Sequence, residues 1–406
     1  MSMTVQRGAL FRFAILYAAL FGAFGSASPF LPSFLAGRGL GPEELGIVLG
    51  AGTVVRLIFG PVAGRLADRF HAFRVELAVC AIVAGSAALG YLAADGFWAV
   101  LLVHLLQAAA LAPLVPLADA LSLAHARTGQ NAGGFEYGWV RGVGSAAFVA
   151  GTLTAGHAAG VYGLSAIIWL SATSLLAIPI IASFVPAFPT AAPQARHDER
   201  PDHPWLTLLR QRAFVYVTVV GALVLGSHAV YDTFAIIRWR QAGISTATTG
   251  VLWSESVAAE VVVFLLIGPP LLRVLKPTGA LALAAFCGLV RWGVMAQTTD
   301  IAALASVQPL HGFTFALLHL ASMRVITDTV PSALAGTAQA VYGLVGVGGA
   351  TALLTILSGW LYARFGAAGF WAMGFLCIAA FPVLWMLHRA LAAFAPPLPQ
   401  HTPPPR

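Results

Sequence analysis

Ionisable side chains in the middle of long apolar stretches are the residues of this sequence best suited to chemistry. They are Arg56, Asp119, Arg141, Asp232, Glu255, Glu260, Arg291, His311 and His319. A charge in hydrocarbon costs about 2.5–3.5 kcal/mol on insertion scales, so such groups face a cavity or one another. An arginine offers a planar fork of donors suited to a carboxylate or paired hydroxyls. A carboxyl group or a histidine can gain and lose a proton. Together they could bind a polar solute and carry protons.

The apolar stretches that carry these groups have the length of membrane-spanning helices. Hydrophobic residues make up 59% of the 406 residues, above the roughly 45–50% of soluble domains, and about 20 apolar residues cross a bilayer. The runs are too long and too uniformly apolar for a transmembrane β-barrel. The sequence therefore predicts an all-α membrane protein with twelve transmembrane helices. The predicted spans are 9–35, 44–66, 75–94, 97–123, 138–160, 164–186, 213–236, 247–272, 279–297, 301–323, 333–360 and 366–388.

A polar segment rich in proline divides the predicted spans equally. It contains "VPAFPTAAPQARHDERPDHPW", which is too polar to lie in hydrocarbon. The predicted organisation is an N-terminal six-helix half over 1–186, a cytoplasmic linker over 187–212 and a C-terminal six-helix half over 213–390. The proline-rich residues 391–406 are predicted to be a disordered tail. This is the layout of transporters built from two halves related by an axis along the membrane normal.

The net charge of +7 is explained by arginines in short loops on one side of the twelve-span arrangement. This positive-inside bias predicts a bacterial inner membrane protein with both termini cytoplasmic, and nucleic acid is not an expected partner. The three cysteines lie inside spans and show no disulfide or metal-ligand spacing. Without a nucleotide loop or a catalytic constellation, we expect no enzyme activity, no cofactor and no metal. We expect a monomer in the lipid bilayer, with the proton gradient as its energy source.

The loop "GRLADRFHAFR" between the second and third predicted spans resembles the signature loop of the major facilitator superfamily. Gly64, Asp68 and Arg69 match the pattern, His71 stands where the pattern has glycine, and the final basic pair is reduced to Arg74. The resemblance implies a conformational gate in which Asp68 pairs with an arginine or a helix N-terminus of a neighbouring helix. The matching loop of the second half lacks the aspartate, so such a latch is asymmetric.

The segments "PLADALSL" and "FEYGWVRGVGS" resemble helices 4 and 5 of the sugar:proton and nucleoside:proton symporters such as lactose permease. The resemblance implies that Asp119 and Arg141 bind substrate and lie side by side. The alternative is a structural pair in which the two charges only neutralise each other. Tyr17, Trp139 and Trp253 are the predicted aromatic substrate contacts, and packing is the alternative for each.

Arg291 and His311 have the spacing of an arginine and a histidine on helices 9 and 10 of the same symporters. Lactose permease has a proton-carrying carboxylate one turn after the histidine, where this chain has Thr314. The departure moves the proton-coupling role to Glu260, with Arg291 and His311 as its partners. The alternative is that Glu260 neutralises Arg291 as a static pair. The rival carriers are Asp232 and Glu255.

Along its length the chain resembles the phenylpropionate-permease-like branch of the superfamily, for example in "YGWVRGVGSAAFVAG", "GSHAVYDTFAI" and "LHGFTFALLHLASMR". Asp232 departs from the aromatic residue that usually follows the tyrosine of the second segment. The expected function is a proton-coupled importer of a small organic solute, with an organic or aromatic acid as the leading substrate class. A nucleoside or sugar symporter, a drug or metabolite exporter and a transporter-like sensor remain the alternatives.

Overall fold

The computed structural model describes residues 3–130, 135–187 and 204–394, and its elements are helical throughout. The first half consists of α1 (Met3–Ala27), α2 (Leu31–Gly37), α3 (Pro42–Phe70), α4 (Phe73–Gly90), α5 (Gly96–Leu111), α6 (Leu114–Gln130), α7 (Tyr137–Tyr162) and α8 (Ser165–Phe184). The second half consists of α9 (Pro204–Arg210), α10 (Arg212–Gly226), α11 (Ala229–Gln241), α12 (Thr246–Val262), α13 (Gly268–Gln297), α14 (Ile301–Val307), α15 (Leu310–Gly312), α16 (Leu318–Thr329), α17 (Ala335–Ala340), α18 (Gly349–Phe365) and α19 (Gly369–Phe394).

These helices accommodate the twelve predicted crossings. Within the described ranges, nine helices or runs of helices are long and apolar enough to span a membrane. Two of the runs, Thr246–Gln297 and Ser332–Ala393, have 52 and 62 residues, far more than one bilayer needs. Each contains a residue with positive φ, Lys276 in the first and Gly366 in the second, so each supplies two crossings. The 26-residue α7 is also long enough to cross.

Several predicted spans are interrupted helices rather than continuous ones. The predicted span 9–35 breaks at residues 28–30, which include a proline, and the span 97–123 breaks at Pro113. Proline removes a helical hydrogen bond and clashes with the preceding turn. The span 213–236 breaks at residues 227–228 without any proline. Three wider π-helical turns also occur, at Val263–Ile267, Phe313–Leu317 and Val341–Gly348.

The two halves close together at the end of the bundle opposite the ends of the chain. There α3 packs on α18, where a Cβ on Gly46 would lie 2.8 Å from the carbonyl oxygen of Ile356 and 2.9 Å from Cα of Gly359. At the same end α7 packs on α12, where a Cβ on Gly156 would lie 3.3 Å from Cα of Gly250. Small residues of this kind let helix backbones approach closely in a membrane.

The buried apolar side chains show the same asymmetry between the two ends. One core cluster joins both halves, with Phe34 and Val48 from the first half and Phe234 and Phe370 from the second. The other two clusters each belong to a single half. The described part of the chain is therefore sealed at one end and divided at the end that carries the termini.

The predicted linker and tail fall mostly outside the described residues. Of the linker predicted over 187–212, the described part contains α9, whose Leu208 is fully buried in the core of the second half. The tail predicted over 391–406 is described only as far as residue 394, where α19 ends. The domain boundaries stay a prediction.

Candidate functional site

A cavity of about 320 Å³ lies between the two halves. The first half contributes Phe148 on α7 to the cavity wall, and the second half supplies the remaining side chains. These are Leu225, His228, Tyr231, Asp232, Trp253, Ser256, Val257, Glu260, His311, Phe315, Val347 and Thr351. A largely apolar cavity with a few convergent polar groups is the usual form of a small-molecule site.

One face of α12 lines this cavity. Ser256, Val257 and Glu260 lie three, four and seven residues after Trp253, which places all four on one side of a helix. Glu255 lies five residues before Glu260, about 140° around the helix, and the cavity wall does not include it. Of the two glutamates on this helix, only Glu260 therefore lines the cavity.

The break between α10 and α11 brings a helix terminus to the cavity. His228 is fixed there because its Nδ1 lies 3.1 Å from the carbonyl oxygens of both Val224 and Leu225. The imidazole thus adds a contact to carbonyls that also accept from the hydroxyl of Ser227 and from the backbone N–H of His228. Discontinuous helices with free termini are a recurring feature of transporter binding sites. The first turn of α11 carries Asp232.

Asp119 is the centre of a polar cluster in the first half. The hydroxyl groups of Tyr17 and Tyr137 both donate to its Oδ1, the latter at 2.7 Å. Nη1 of Arg141 lies 3.6 Å from the same oxygen. The predicted adjacency of Asp119 and Arg141 is therefore confirmed, while their role in substrate binding stays a prediction. Arg141 keeps 42% of its side chain accessible, and its guanidinium lies 5.1 Å from the ring centroid of Phe21.

Arg291 is the centre of a different cluster in the second half, where it is completely buried. Its guanidinium donates to His311 Nδ1 at 3.1 Å and to Gln308 Oε1 at 3.2 Å. It also lies 4.2 Å from the ring centroid of Tyr231 and 4.7 Å from that of Trp292. These are favourable cation–π distances. Among the described residues, no carboxylate forms an ion pair with Arg291.

His311 connects Arg291 to Glu260. Arginine has no acceptor, so the Nδ1 that meets Arg291 must be unprotonated. The proton of the neutral imidazole is then on Nε2, which lies 3.6 Å from Glu260 Oε2. Arg141 and His319 also interact electrostatically with Glu260. The structure thus brings the predicted proton-coupling residues Glu260, His311 and Arg291 into one chain of contacts, and their role stays a prediction.

Asp232 faces the cavity with an accessible carboxylate. Within the described ranges, no donor lies within hydrogen-bonding distance of this carboxylate. Arg291 interacts with it electrostatically from behind the cavity wall. Asp232 therefore shares the cavity with Glu260 without sharing its hydrogen-bonded contacts.

The remaining predicted substrate contacts divide between the cavity and the surface. Trp253 lines the cavity and stacks on Tyr231 with a centroid distance of 4.7 Å and an interplanar angle of 10°. Tyr17 is fully buried and contacts the site through Asp119. Trp139 lies two residues before Arg141, about 200° around α7, and 68% of it is exposed. The structure gives Trp139 no place in the cavity wall.

The sequence interpretation missed four residues of the site. Tyr231 and Gln308 hold Arg291, and Nε2 of His228 lies 3.0 Å from the hydroxyl of Thr314. In the sequence Thr314 is only a departure from a carboxylate, whereas in the structure it contacts a histidine of another helix. The signal available in the sequence was the "GSH" interruption of an otherwise apolar span.

The predicted gate residues lie at the end of α3 and the beginning of α4. Asp68 and Arg69 are exposed, and the guanidinium of Arg69 lies over the ring of Phe70. Arg74 donates to the backbone carbonyl of Val185 at 2.9 Å, which ties α4 to the end of α8. Gly64 lies in α3 with open space beside it. The latch itself stays a prediction.

Comparisons with known proteins agree with this architecture. Residues 10–373 match the model of the MFS_1 like family. The chain is 36% identical over 380 residues to a probable 3-phenylpropionic acid transporter of Escherichia coli (strain K12), covering 90% of this chain and 95% of that protein. It is 23% identical over 355 residues to the maltose permease of Geobacillus stearothermophilus, covering 87% of each.

Solved structures share the fold. The crystal structure of the nucleoside transporter NupG matches with a TM-score of 0.78 at 17% sequence identity, over 94% of this chain and 99% of that one. A bacterial homologue of the lysosomal transporter Spinster in an inward-facing and unoccupied conformation matches with a TM-score of 0.77 at 13% identity, over 98% of this chain and all of that one. The chain therefore belongs to the MFS_1 like family and is a multi-pass membrane transporter of the major facilitator superfamily, not an enzyme.

Proposed function

We propose that this protein is a proton-coupled importer of a small organic acid, with aromatic acids as its main substrate class, and that it works by alternating access. The observation that carries the proposal is the cavity between the halves. It combines aromatic walls with titratable groups, and an accessible arginine lies on the helix that contributes Phe148. The name of the relative from Escherichia coli supports an organic acid as the substrate.

Arg141 is the group that we assign to the substrate carboxylate. Its side chain is accessible, whereas Arg291 is fully buried behind Tyr231. Arg141 lies between two carboxylates, because Asp119 contacts it within the first half and Glu260 interacts with it from the second. A bound anion would compete with both for the same guanidinium. Substrate binding would therefore alter an interaction that joins the two halves.

Glu260 is the group that we assign to the coupled proton. Burial disfavours the charged form of a carboxyl group, and an approaching cation favours it. Relative movement of the halves changes the distance from Glu260 to Arg141, since these residues belong to different halves. The position of His311 would also affect proton loading. Its Nδ1 can take a second proton only when the imidazole moves away from Arg291, because an N–H group would otherwise face the guanidinium. Loading and release of a proton would thus depend on conformation.

The sealed and divided ends of the bundle support alternating access. The halves meet through glycine contacts at one end and have separate cores at the other. We further propose that both termini are cytoplasmic and that the protein lies in a bacterial inner membrane, on the basis of the arginine distribution. In that orientation the structure is closed toward the outside.

The proposal is tested with Glu260→Gln in proteoliposomes, because glutamine keeps the size of the side chain and fixes it in a neutral form. We expect this variant to bind an aromatic acid and exchange it across the membrane, but not to accumulate it against a gradient or move protons. Glu255→Gln, on another face of the same helix, is the matched control and should behave as the wild type.

Two outcomes would contradict the proposal. Proton-driven accumulation at the wild-type level by Glu260→Gln would remove Glu260 as the carrier. A wild-type protein that takes up nucleosides or sugars but binds no organic acid would replace the substrate class. Organic acids, nucleosides and sugars therefore belong in the same binding panel.

A further inference from the structure

Asp232 is a cavity-facing acceptor to which the proposed mechanism gives no partner. Glu260 meets His311 and Asp119 meets Arg141. The carboxylate of Asp232 is accessible from the cavity, and in the described part of the chain no hydrogen bond or ion pair satisfies it. A carboxylate left unpaired at the middle of a membrane is costly and marks a functional site.

Asp232 lies among other polar and titratable groups of the cavity. It lies in the first turn of α11, where the partial positive charge of a helix N-terminus stabilises an anion. Arg291 adds a second favourable interaction from behind Tyr231. The other titratable groups of the cavity wall are His228, Tyr231, Glu260 and His311. An accessible carboxyl oxygen without a hydrogen-bond partner suits the recognition of a donor.

The part of the cavity around Asp232 does not suit the carboxylate of the substrate. It exposes the oxygens of Asp232 and Glu260, whereas the nearest arginine of the second half is completely buried. The substrate carboxylate must therefore lie toward Arg141. This arginine is seven residues before Phe148 on α7, which is nearly the same helix face and about 10.5 Å along the axis.

The aromatic ring of the substrate fits between these two ends. Phe148 and Trp253 line the cavity from opposite halves, and Tyr231 fixes one face of Trp253 by stacking. Asp232 lines the same cavity as these two rings, so we infer that a ring bound there with its carboxylate toward Arg141 has its far edge on the side of Asp232. An α-amino acid carries its ammonium group beside its carboxylate, so it could not reach Arg141 and Asp232 together.

We propose that Asp232 is a specificity-determining residue that accepts a hydrogen bond from a hydroxyl group on the ring of the substrate. The transporter then prefers aryl acids with a phenolic hydroxyl to unsubstituted ones. The inference rests on the proposed function, because it places the acid at Arg141. A hydrogen bond to a charged group corresponds to about a 10-fold to 150-fold change in affinity, and sites that bind a hydroxyl strongly reject analogues without it.

The test compares the binding of 3-phenylpropionate with that of its para-hydroxylated analogue, by calorimetry on the purified protein. We expect the wild type to bind the phenolic acid at least about 10-fold more tightly. Asp232→Ala should bind both acids with the wild-type affinity for the unsubstituted one, and Asp232→Asn should show a reduced preference. Glu255→Ala should retain the full preference and is the matched control.

Each other outcome overturns the inference. Equal binding of the two acids by the wild type, or an unchanged preference in Asp232→Ala, would remove Asp232 from ring recognition. If Asp232→Ala does not fold, an unchanged preference in Asp232→Asn has the same meaning. A variant Asp232→Asn that keeps the preference but loses proton-driven accumulation would make Asp232 a proton carrier instead. Binding of neither acid by the wild type would contradict the proposed function, which is a distinguishable result.

Discussion

Arg141 in the first half and Arg291 in the second are held in opposite ways. Arg141 is partly accessible and lies beside a carboxylate that also accepts two tyrosine hydroxyls. Arg291 is fully buried, and neutral acceptors and aromatic rings surround it. The comparison teaches that a charge in a membrane-spanning helix can be stabilised in two ways. One leaves the guanidinium available to a ligand, and the other makes it part of the protein core.

Removal of Arg291 is expected to have the largest effect on stability. Arg291→Ala leaves a cavity in the core and leaves the Nδ1 of His311 and the Oε1 of Gln308 without their donor, so unfolding should become easier by about 2–5 kcal/mol. Arg141→Ala should cost less than about 1 kcal/mol, because its side chain is accessible and Asp119 keeps both tyrosine hydroxyls. Thermal unfolding of the purified proteins in detergent measures both. Equal losses in the two variants would contradict the comparison.

For the stabilisation of the protein by bound substrate, we expect Arg141 to matter more than Arg291. Asp119→Ala and Arg141→Ala should abolish the increase in melting temperature that an aromatic acid gives to the wild type, because the carboxylate of the acid loses its cation or that cation loses its orientation. Trp139→Ala on another face of α7 is the control and should retain the increase. Wild-type binding by both charge variants would reduce Asp119 and Arg141 to a structural pair. Loss of binding in Trp139→Ala would return Trp139 to the site.

The loops that follow α3 and interrupt α13 offer a smaller comparison between the halves. His71 has φ 51° and ψ 31°, in the left-handed region, and Lys276 has φ 57° and ψ 168°, in a region used almost only by glycine. Lys276→Gly should therefore stabilise the protein by about 1–2 kcal/mol. His71→Gly should give at most about 1 kcal/mol, because left-handed helical backbone is less costly. Thermal unfolding is again the measurement, and a larger gain at His71 would reverse the comparison.

Long apolar runs predicted most of the fold, because the bilayer requires helices of a certain length and leaves little choice of secondary structure. The crossings, the central division and the adjacency of Asp119 and Arg141 followed from this constraint together with the resemblance. The interruption of the helix at residues 227–228 did not follow from this constraint. It has no proline, and the last carbonyls of α10 meet the hydroxyl of Ser227 together with the backbone N–H and the imidazole of His228.

The partners of Arg291 were only partly predictable for a related reason. His311 was found by its spacing in a known pattern, whereas Gln308 and Tyr231 are ordinary residues of apolar helices until the fold brings them together. Trp139 shows the opposite error, because its position beside Arg141 in the sequence suggested a shared site. Side chains that are two positions apart on a helix point in nearly opposite directions, so closeness in sequence does not place Trp139 beside Arg141.

The glycine contacts between α3 and α18 have a consequence for leakage. Backbone lies directly against backbone at Gly46 and Gly359, with no side chains whose rotamers could open a gap for water. If the protein carries protons as we propose, this closed contact limits the water through which protons could leak while the cavity exchanges its contents at the other end. Membrane lipid offers helices no hydrophobic penalty for parting. The same seal would therefore insulate well and separate with little resistance, which is the combination that the proposed proton-coupled cycle requires.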